Sequence, residues 1–163
     1  MRHTLVLVFA LFAFNLSAQN PEERQVMDVV NRVFEAMRRS DSTLLKSSFV
    51  PQPATYTIFQ NQAGETQFRE GDLQKFIEAV GNPKEDVWNE PIWNEKVQID
   101  GSLAAVWVDY AFYLNDQFLH CGVDAFQLVK TLEGWKIFHL ADTRRKADCE
   151  VPEDVRQKYE KSR

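Results

Sequence analysis

A chain of 163 residues is long enough for one domain, and its net charge of −5 disfavours nucleic-acid binding, because phosphates require clustered Lys and Arg. The sequence contains no basic amphipathic helix that would indicate a membrane surface. It also lacks the Gly-rich phosphate loops of the common nucleotide-binding motifs.

The first 18 residues have the layout of a secretory signal peptide. Arg2 and His3 form a short basic start, Leu5–Phe14 is an apolar run, and Leu16-Ser17-Ala18 ends it with small residues. The run is too short to span a bilayer, although a retained membrane anchor is the alternative. We therefore expect a signal peptide at 1–18, a domain at 19–148 and a charged tail at 149–163, in a periplasmic or secreted protein with no membrane contact after cleavage.

Two helices begin the predicted domain. Apolar residues at helical spacing predict a helix over Glu22–Arg39, and Pro21 suits its first turn. Asp41 is placed to cap a short second helix over Ser42–Ser48.

A strand pair and a third helix follow. Pro51 and Pro53 end the second helix, since proline cannot continue it. Alternating patterns predict strands over Ala54–Gln60 and Glu65–Arg69, and a helix over Leu73–Val80 comes next.

The segment Glu90–Arg145 is predicted to form four antiparallel strands joined by tight turns. The turn sequences are Asp100-Gly101, Asn115-Asp116 and Thr131–Gly134. These turns would pair Val97 with Ala104, Tyr110 with Cys121, and Phe126 with His139. Because side chains alternate along a strand, a slip of one residue would flip the faces.

With this pairing, one face of the sheet gathers ionisable and aromatic side chains. They are Trp107, Asp109, Tyr113, His120, Asp124, Phe126 and His139. Asp124 would orient His120 or His139, which is the arrangement of a general base. The alternatives are a set of purely structural hydrogen bonds, or a metal site formed by the two imidazoles and the carboxylate. No compact ligand motif or nucleophile elbow is present, so we expect neither a metal nor nucleophilic catalysis.

Both predicted faces of the sheet are substantially apolar, which favours a homodimer through the sheet over a monomer. Two cysteines, Cys121 and Cys149, would form one disulfide in an exported protein, if a turn after Arg144 brings Cys149 back. The alternative is a buried thiol at Cys121 and an unrelated cysteine in the tail. Pro152–Lys161 is predicted to be a short surface helix.

The residues of the meander resemble a known family. The matching runs are Asp100-Gly-Ser-Leu-Ala-Ala-Val-Trp107-Val-Asp-Tyr110, His120-Cys-Gly-Val-Asp124-Ala-Phe-Gln-Leu-Val-Lys130, Gly134-Trp-Lys-Ile and Ala141-Asp-Thr-Arg-Arg145. They are similar to bacterial proteins of the nuclear transport factor 2-like superfamily that are described as putative lumazine-binding or SnoaL-like.

The resemblance implies an α+β cone, in which a curved antiparallel sheet wraps around the N-terminal helix and encloses a cavity. Members of the superfamily include steroid isomerases, polyketide cyclases, dehydratases and proteins with no chemistry. The isomerases use an Asp base with a Tyr and a protonated Asp. Tyr56 and Asp109 match that set by residue type only.

We therefore expect an exported small-molecule-binding domain that needs no cofactor. Trp107, Tyr113, Phe126 and Tyr56 would provide stacking surface, and the ionisable cluster would make directional contacts. The alternative is a cofactor-independent isomerase, dehydratase or cyclase that uses a His/Asp pair. A third possibility is that the sheet serves only as an interface.

Overall fold

A computed structural model describes residues 20–82 and 85–160. The predicted signal peptide and the last residue of the predicted tail helix lie outside this part of the chain. The elements are α1 (Pro21–Arg39), α2 (Ser42–Ser47), β1 (Phe49–Gln60), β2 (Thr66–Glu70), α3 (Leu73–Gly81), β3 (Trp88–Asn89), β4 (Ile92–Asp100), β5 (Leu103–Leu114), β6 (Gln117–Thr131), β7 (Gly134–Arg144) and α4 (Glu153–Tyr159). None of the helices in the described ranges is long and apolar enough to cross a membrane.

Helix α1 forms as the periodicity predicts. The side chain of Asn20 accepts a hydrogen bond from the Glu22 amide at 3.0 Å, and Ser40 ends the helix in the left-handed conformation. Five residues of the predicted apolar stripe are buried against the sheet: Val26, Val29, Val30, Val33 and Met37. The sixth, Phe34, is half-buried and packs against the same core. This burial fixes which face of the sheet is the inner one.

The strands form one sheet in the order β2-β1-β7-β6-β5-β3, and β4 also pairs with β5. Strands β1 and β7 are parallel, whereas the other pairs are antiparallel. This is the predicted α+β architecture, with one parallel pair added.

Strand β1 starts at Phe49, five residues earlier than predicted. Its pairing with β7 jumps from Phe49↔Ile137 to Ala54↔His139. Pro51 and Pro53 lie in that irregularity, where proline's missing amide does not interrupt the ladder. The prolines therefore mark a bulge within a strand.

The predicted register is wrong in all three hairpins. Val97 pairs with Val106, Tyr110 with Gly122, and Phe126 with Leu140. In the first hairpin the turn is Gly101-Ser102, since Asp100 pairs with Leu103. This moves the partner by two residues, so the predicted relation between the faces of β4 and β5 survives near the turn.

The other two hairpins have their turns at the predicted places but contain bulges. Leu119 is an extra residue in β6, because Phe112 pairs with His120 while Tyr113 pairs with Phe118. Phe138 is an extra residue in β7. Each bulge reverses the alternation beyond it and strengthens the local twist. The predicted face therefore mixed side chains that point to opposite sides of the sheet.

The C-terminal tail packs against the outer face of the sheet. Cys121 and Cys149 form a disulfide with a Cα–Cα distance of 5.9 Å, so the bridged alternative is the observed one. Val151 is buried beside it, and the ring of Tyr159 stacks on Tyr113 at 5.5 Å. Helix α4 confirms the predicted tail helix and covers part of the sheet.

Replacing Cys149 with Ser should lower the free energy of unfolding by about 2–4 kcal/mol, because the disulfide closes a loop with a sequence separation of 28. Chemical denaturation of the oxidised protein measures this loss. A reductant should reproduce the loss in the wild type and have no further effect on the variant. Equal stability of oxidised wild type and variant would contradict the structural role of this bridge.

Candidate functional site

A cavity of about 220 Å³ lies between α1, α3 and the inner face of the sheet. Its apolar wall comes from both helices and from the strands: Val33, Phe34, Met37, Phe49, Leu73, Phe76, Phe126 and Leu140. Its main polar groups come from the sheet and from the residue that follows β3: Glu90, Tyr110, His120, Asp124, Asp142 and Arg144. The cavity thus joins an apolar wall to a cluster of hydrogen-bonding groups.

Two carboxyl groups in this cavity share a hydrogen bond. Asp124 on β6 is only 4% exposed, and its side chain hydrogen bonds that of Glu90, which is half-buried. Burial raises the pKa of Glu90 to about 8, and the negative charge of Asp142 adds to the effect. Burial and the Glu90 charge raise the pKa of Asp124 well above its usual range. The pair therefore retains at least one proton at neutral pH.

His120 and Tyr110 form a second polar unit. The Tyr110 hydroxyl lies 2.9 Å from the Thr143 carbonyl oxygen and 3.2 Å from His120 Nδ1. A carbonyl only accepts, so both contacts are satisfied when Tyr110 donates to Thr143 and His120 Nδ1–H donates to Tyr110. This tautomer leaves His120 Nε2 unprotonated.

The His120 imidazole is neutral at physiological pH. Burial lowers its pKa to about 4, and the nearby Arg144 cation adds to the lowering. The ring of Phe112 stacks on it at 5.2 Å. A neutral imidazole with a fixed tautomer can accept a hydrogen bond or a proton.

An ion pair forms the third polar unit. Asp142 accepts hydrogen bonds from Thr57 Oγ1 and from Arg144 Nε, each at 2.6 Å. Asp142 and Arg144 are two residues apart on β7, so both side chains lie on the inner face. The pair fixes Arg144 at the edge of the cavity.

Four of the predicted site residues line the cavity, namely Tyr56, His120, Asp124 and Phe126. The expected orientation of an imidazole by Asp124 is not observed, since Asp124 bonds Glu90 and His120 Nδ1 contacts Tyr110. His139 lies beyond the bulge at Phe138, outside the residues that line the cavity. Its buried Nδ1 has no hydrogen-bond partner among the described residues.

The predicted aromatic and acidic partners lie elsewhere. Trp107 is 50% exposed, and Asp109 accepts a hydrogen bond from Asn94 Nδ2 at 2.8 Å. Tyr113 is buried under the tail, where its hydroxyl donates to Glu160 at 3.0 Å. Tyr56 borders the cavity, but its ring stacks on the ring of Phe68 at 4.7 Å. Strand β5 presents its other face to the cavity because of the bulge at Leu119.

Sequence reasoning missed four polar groups of the cavity: Glu90, Tyr110, Asp142 and Arg144. The predicted pairing of Tyr110 with Cys121 puts Tyr110 on the opposite face from His120. The bulge at Leu119 changes the partner to Gly122 and so places both side chains on the same face. One sequence feature does indicate the crowding there. A Cβ on Gly122 would lie 1.7 Å from the Thr143 carbonyl oxygen and 2.8 Å from the Tyr110 ring, so only glycine fits opposite this tyrosine.

No group of three or more His, Cys, Asp or Glu side chains in residues 20–82 and 85–160 is arranged to hold a metal ion. The metal alternative, built on His120, Asp124 and His139, therefore has no support from the geometry of these residues. The polar side chains that line the cavity can form hydrogen bonds and transfer protons.

Replacing Asp124 with Asn should stabilise the protein at alkaline pH. A carboxyl whose folded-state pKa is raised makes the fold less stable as pH rises towards that pKa, about 8 for Glu90. The amide can still donate to Glu90 and removes the second charge. We expect unfolding to require about 1–3 kcal/mol more at pH 8.5 than in the wild type, with a smaller gain at pH 7.

Denaturant titrations at both pH values measure this difference, and the titration of His120 in the unfolded state is common to the variant and the wild type. Asp109→Asn is the matched control, because that carboxylate lies on the outer face beside Asn94. It should keep the pH dependence of the wild type. Parallel pH dependences for Asp124→Asn and the wild type would show that the pair is not protonated.

Comparisons with solved structures find the same fold in bacterial proteins of low sequence identity. A nuclear transport factor 2-like protein of unknown function from Shewanella baltica has a TM-score of 0.59 at 17% identity, over 77% of this chain and 95% of that one. A protein of unknown function from Mycobacterium tuberculosis has a TM-score of 0.60 at 15% identity, over 82% and 84%. A protein from Streptomyces avermitilis, described as a putative dehydratase, has a TM-score of 0.58 at 16% identity, over 77% and 97%.

These identities establish the fold alone. No curated protein matches the chain significantly. The sequence model of one family, described as "Putative lumazine-binding", matches residues 21–140, which include α1, the strand pair and most of the meander. This chain therefore belongs to the putative lumazine-binding family, and it has the fold of nuclear transport factor 2-like proteins.

Proposed function

We propose that this protein is an exported domain that binds a small, partly apolar molecule between α1 and the sheet. The observation that carries the proposal is the pairing, in one cavity, of an apolar wall with a carboxyl pair that holds a proton. At about 220 Å³ the cavity is smaller than the ~300–1,000 Å³ of sites for drug-sized ligands, which favours a compact ligand.

The polar cluster offers both kinds of hydrogen-bonding partner. The protonated carboxyl donates, whereas the neutral imidazole of His120 and the carboxylate of Asp142 accept. Aromatic walls at Phe34, Phe76 and Phe126 favour a planar ring. A bicyclic heterocycle such as lumazine, which the family description names, has this combination of a flat body and polar edges.

The proposal of export rests on the N-terminal sequence and is supported by the disulfide. Cys121–Cys149 is a bridge between distant parts of the chain, of the kind that persists in oxidising compartments. Pairing of two copies through the outer face of the sheet is supported by Trp107 and Leu103, which are each 50% exposed.

Native mass spectrometry of the exported protein, followed by release of bound compounds, tests this proposal. We expect a co-purified small molecule, or otherwise saturable binding of added lumazine, and a mature chain that starts near Gln19 and assembles as a dimer. Asp124→Asn should weaken binding about tenfold or more, because the amide donates to Glu90 and so favours loss of the carboxyl proton that would donate to the ligand.

Asp109→Asn is again the matched control and should bind with wild-type affinity, since its carboxylate lies outside the cavity. Equal weakening by both substitutions would argue against this cavity as the site. A protein that carries no co-purified molecule and also fails to bind lumazine would contradict the proposal that the cavity binds a lumazine-like heterocycle.

Acid–base catalysis is the second candidate, and one observation favours it specifically. An unprotonated imidazole and a protonated carboxyl line the same cavity at neutral pH. His120 Nε2 would take a proton from the carbon beside a substrate carbonyl, while Glu90, protonated below its pKa of about 8, donates a hydrogen bond to the developing enolate oxygen. This serves isomerisation, dehydration or cyclisation without a cofactor.

Such an enzyme should have a pH–rate profile with two limbs when screened against β-hydroxy ketones. The rate should rise as His120 loses its proton near pH 4 and fall as the carboxyl pair loses its proton near pH 8. His120→Gln should lower kcat/KM at least a hundredfold, a typical loss for a general base. Full activity in His120→Gln would eliminate this assignment.

A further inference from the structure

A basic groove adjoins the mouth of the cavity, although the chain as a whole carries a net charge of −5. Four cationic side chains line it, with Asp148 as the single acidic residue among its lining: Arg69, Arg144, Arg145 and Lys146. The groove and the cavity share Thr57, His120 and Arg144. The cavity and the groove are therefore adjacent and meet at these three residues.

The strand register explains how distant cations meet there. Arg69 on β2 pairs with Thr57 on β1, and Arg144 on β7 pairs with Phe59 two residues further along β1. Paired residues share a face, and so do residues two apart on a strand, so both arginines lie on the inner face. The Arg69 guanidinium lies 5.1 Å from the centre of the Phe59 ring. Phe59 thus forms an apolar platform between the two cations.

The two spaces differ in charge. The cavity contains the protonated pair Glu90 and Asp124 and the ion pair of Asp142 with Arg144, whereas the groove contains an excess of cations. Arg144 uses Nε to bind Asp142, which leaves its Nη groups outside that contact. A guanidinium held in this way can present its remaining N–H groups to an oxyanion. A molecule with a neutral body and one anionic group would fit only with the anion in the groove.

We propose that the ligand carries an oxyanion, a carboxylate or a phosphate, which binds in the groove between Arg69 and the Arg144–Lys146 segment while its neutral ring occupies the cavity. This inference rests on the proposed small-molecule binding and specifies the chemical class of the ligand. The inference also gives the orientation of the ligand, with the hydrogen-bonding edge of the ring towards Asp124 and the anion towards solvent.

Three probes that share one naphthalene ring test the inference by calorimetry at pH 7: 2-naphthoate, 2-naphthyl phosphate and the neutral 2-naphthamide. We expect at least one anionic probe to bind about tenfold more tightly than the amide at low salt, and this preference to shrink at about 0.3 M salt. A stronger response to the phosphate or to the carboxylate identifies which oxyanion the groove prefers.

The double variant Arg69→Gln/Lys146→Gln should reduce the preference for the anion to about twofold and leave amide affinity unchanged, since both side chains are exposed in the groove. The double variant Lys96→Gln/Lys158→Gln removes the same charge at residues outside groove and cavity, and should behave as wild type.

If the amide binds and neither anion is preferred, the proposed oxyanion site in the groove is wrong, whereas the proposed binding in the cavity stands. The same conclusion follows from a preference that survives in the Arg69/Lys146 variant or is lost equally in the Lys96/Lys158 control. Failure of all three probes to bind would overturn the groove and count against the cavity as well.

Discussion

Side chains alternate strictly along a β-strand, and the cavity depends on two places where that alternation is interrupted. The extra residues Leu119 and Phe138 allow β5, β6 and β7 to present Tyr110, Asp124 and Asp142 to the same space. Without the bulge at Leu119, Tyr110 and His120 would point to opposite sides. The hydrogen bond between their side chains, and the neutral state of the imidazole that accompanies it, follow from that one residue.

The polar cluster is stable because each buried group has a specific partner. Glu90 and Asp124 share a hydrogen bond, Tyr110 joins His120 to the Thr143 carbonyl, and Arg144 balances Asp142. Burial of charge without such partners would be strongly unfavourable. The arrangement also separates the charges, with the acids facing the cavity and the free cationic surface at its mouth. This separation gives a ligand a preferred direction of entry.

Part of the outer face of the sheet is covered by the C-terminal tail of the chain. Tyr113 and Cys121 belong to a small second core with Val151, which the disulfide and helix α4 hold in place. The tail is therefore part of the folded domain. Because it covers only one end of the outer face, Trp107 stays half exposed. That leaves room for the proposed pairing of two copies.

The sequence alone determined most of the elements, because their patterns are local, although it missed β3 and the start of β1. The valine stripe of α1, the capping Asp41 and the turn at Asn115-Asp116 each depend on a few neighbouring residues. The family resemblance predicted the architecture, and the match of the family's sequence model to residues 21–140 confirms that resemblance. His120, Asp124 and Phe126 were placed together correctly because they lie on one uninterrupted stretch of β6.

Only the tertiary structure decided which of the other side chains join them. A one-residue bulge has no distinct pattern in a sequence of alternating residues, yet it reverses every side chain beyond it. Asp109, Trp107, Tyr113 and His139 were therefore assigned to the wrong side. Glu90 and Arg144 reach the cavity through contacts between segments far apart in the chain. Local periodicity carries no information about such contacts, since burial against α1 and pairing across the sheet are what set them.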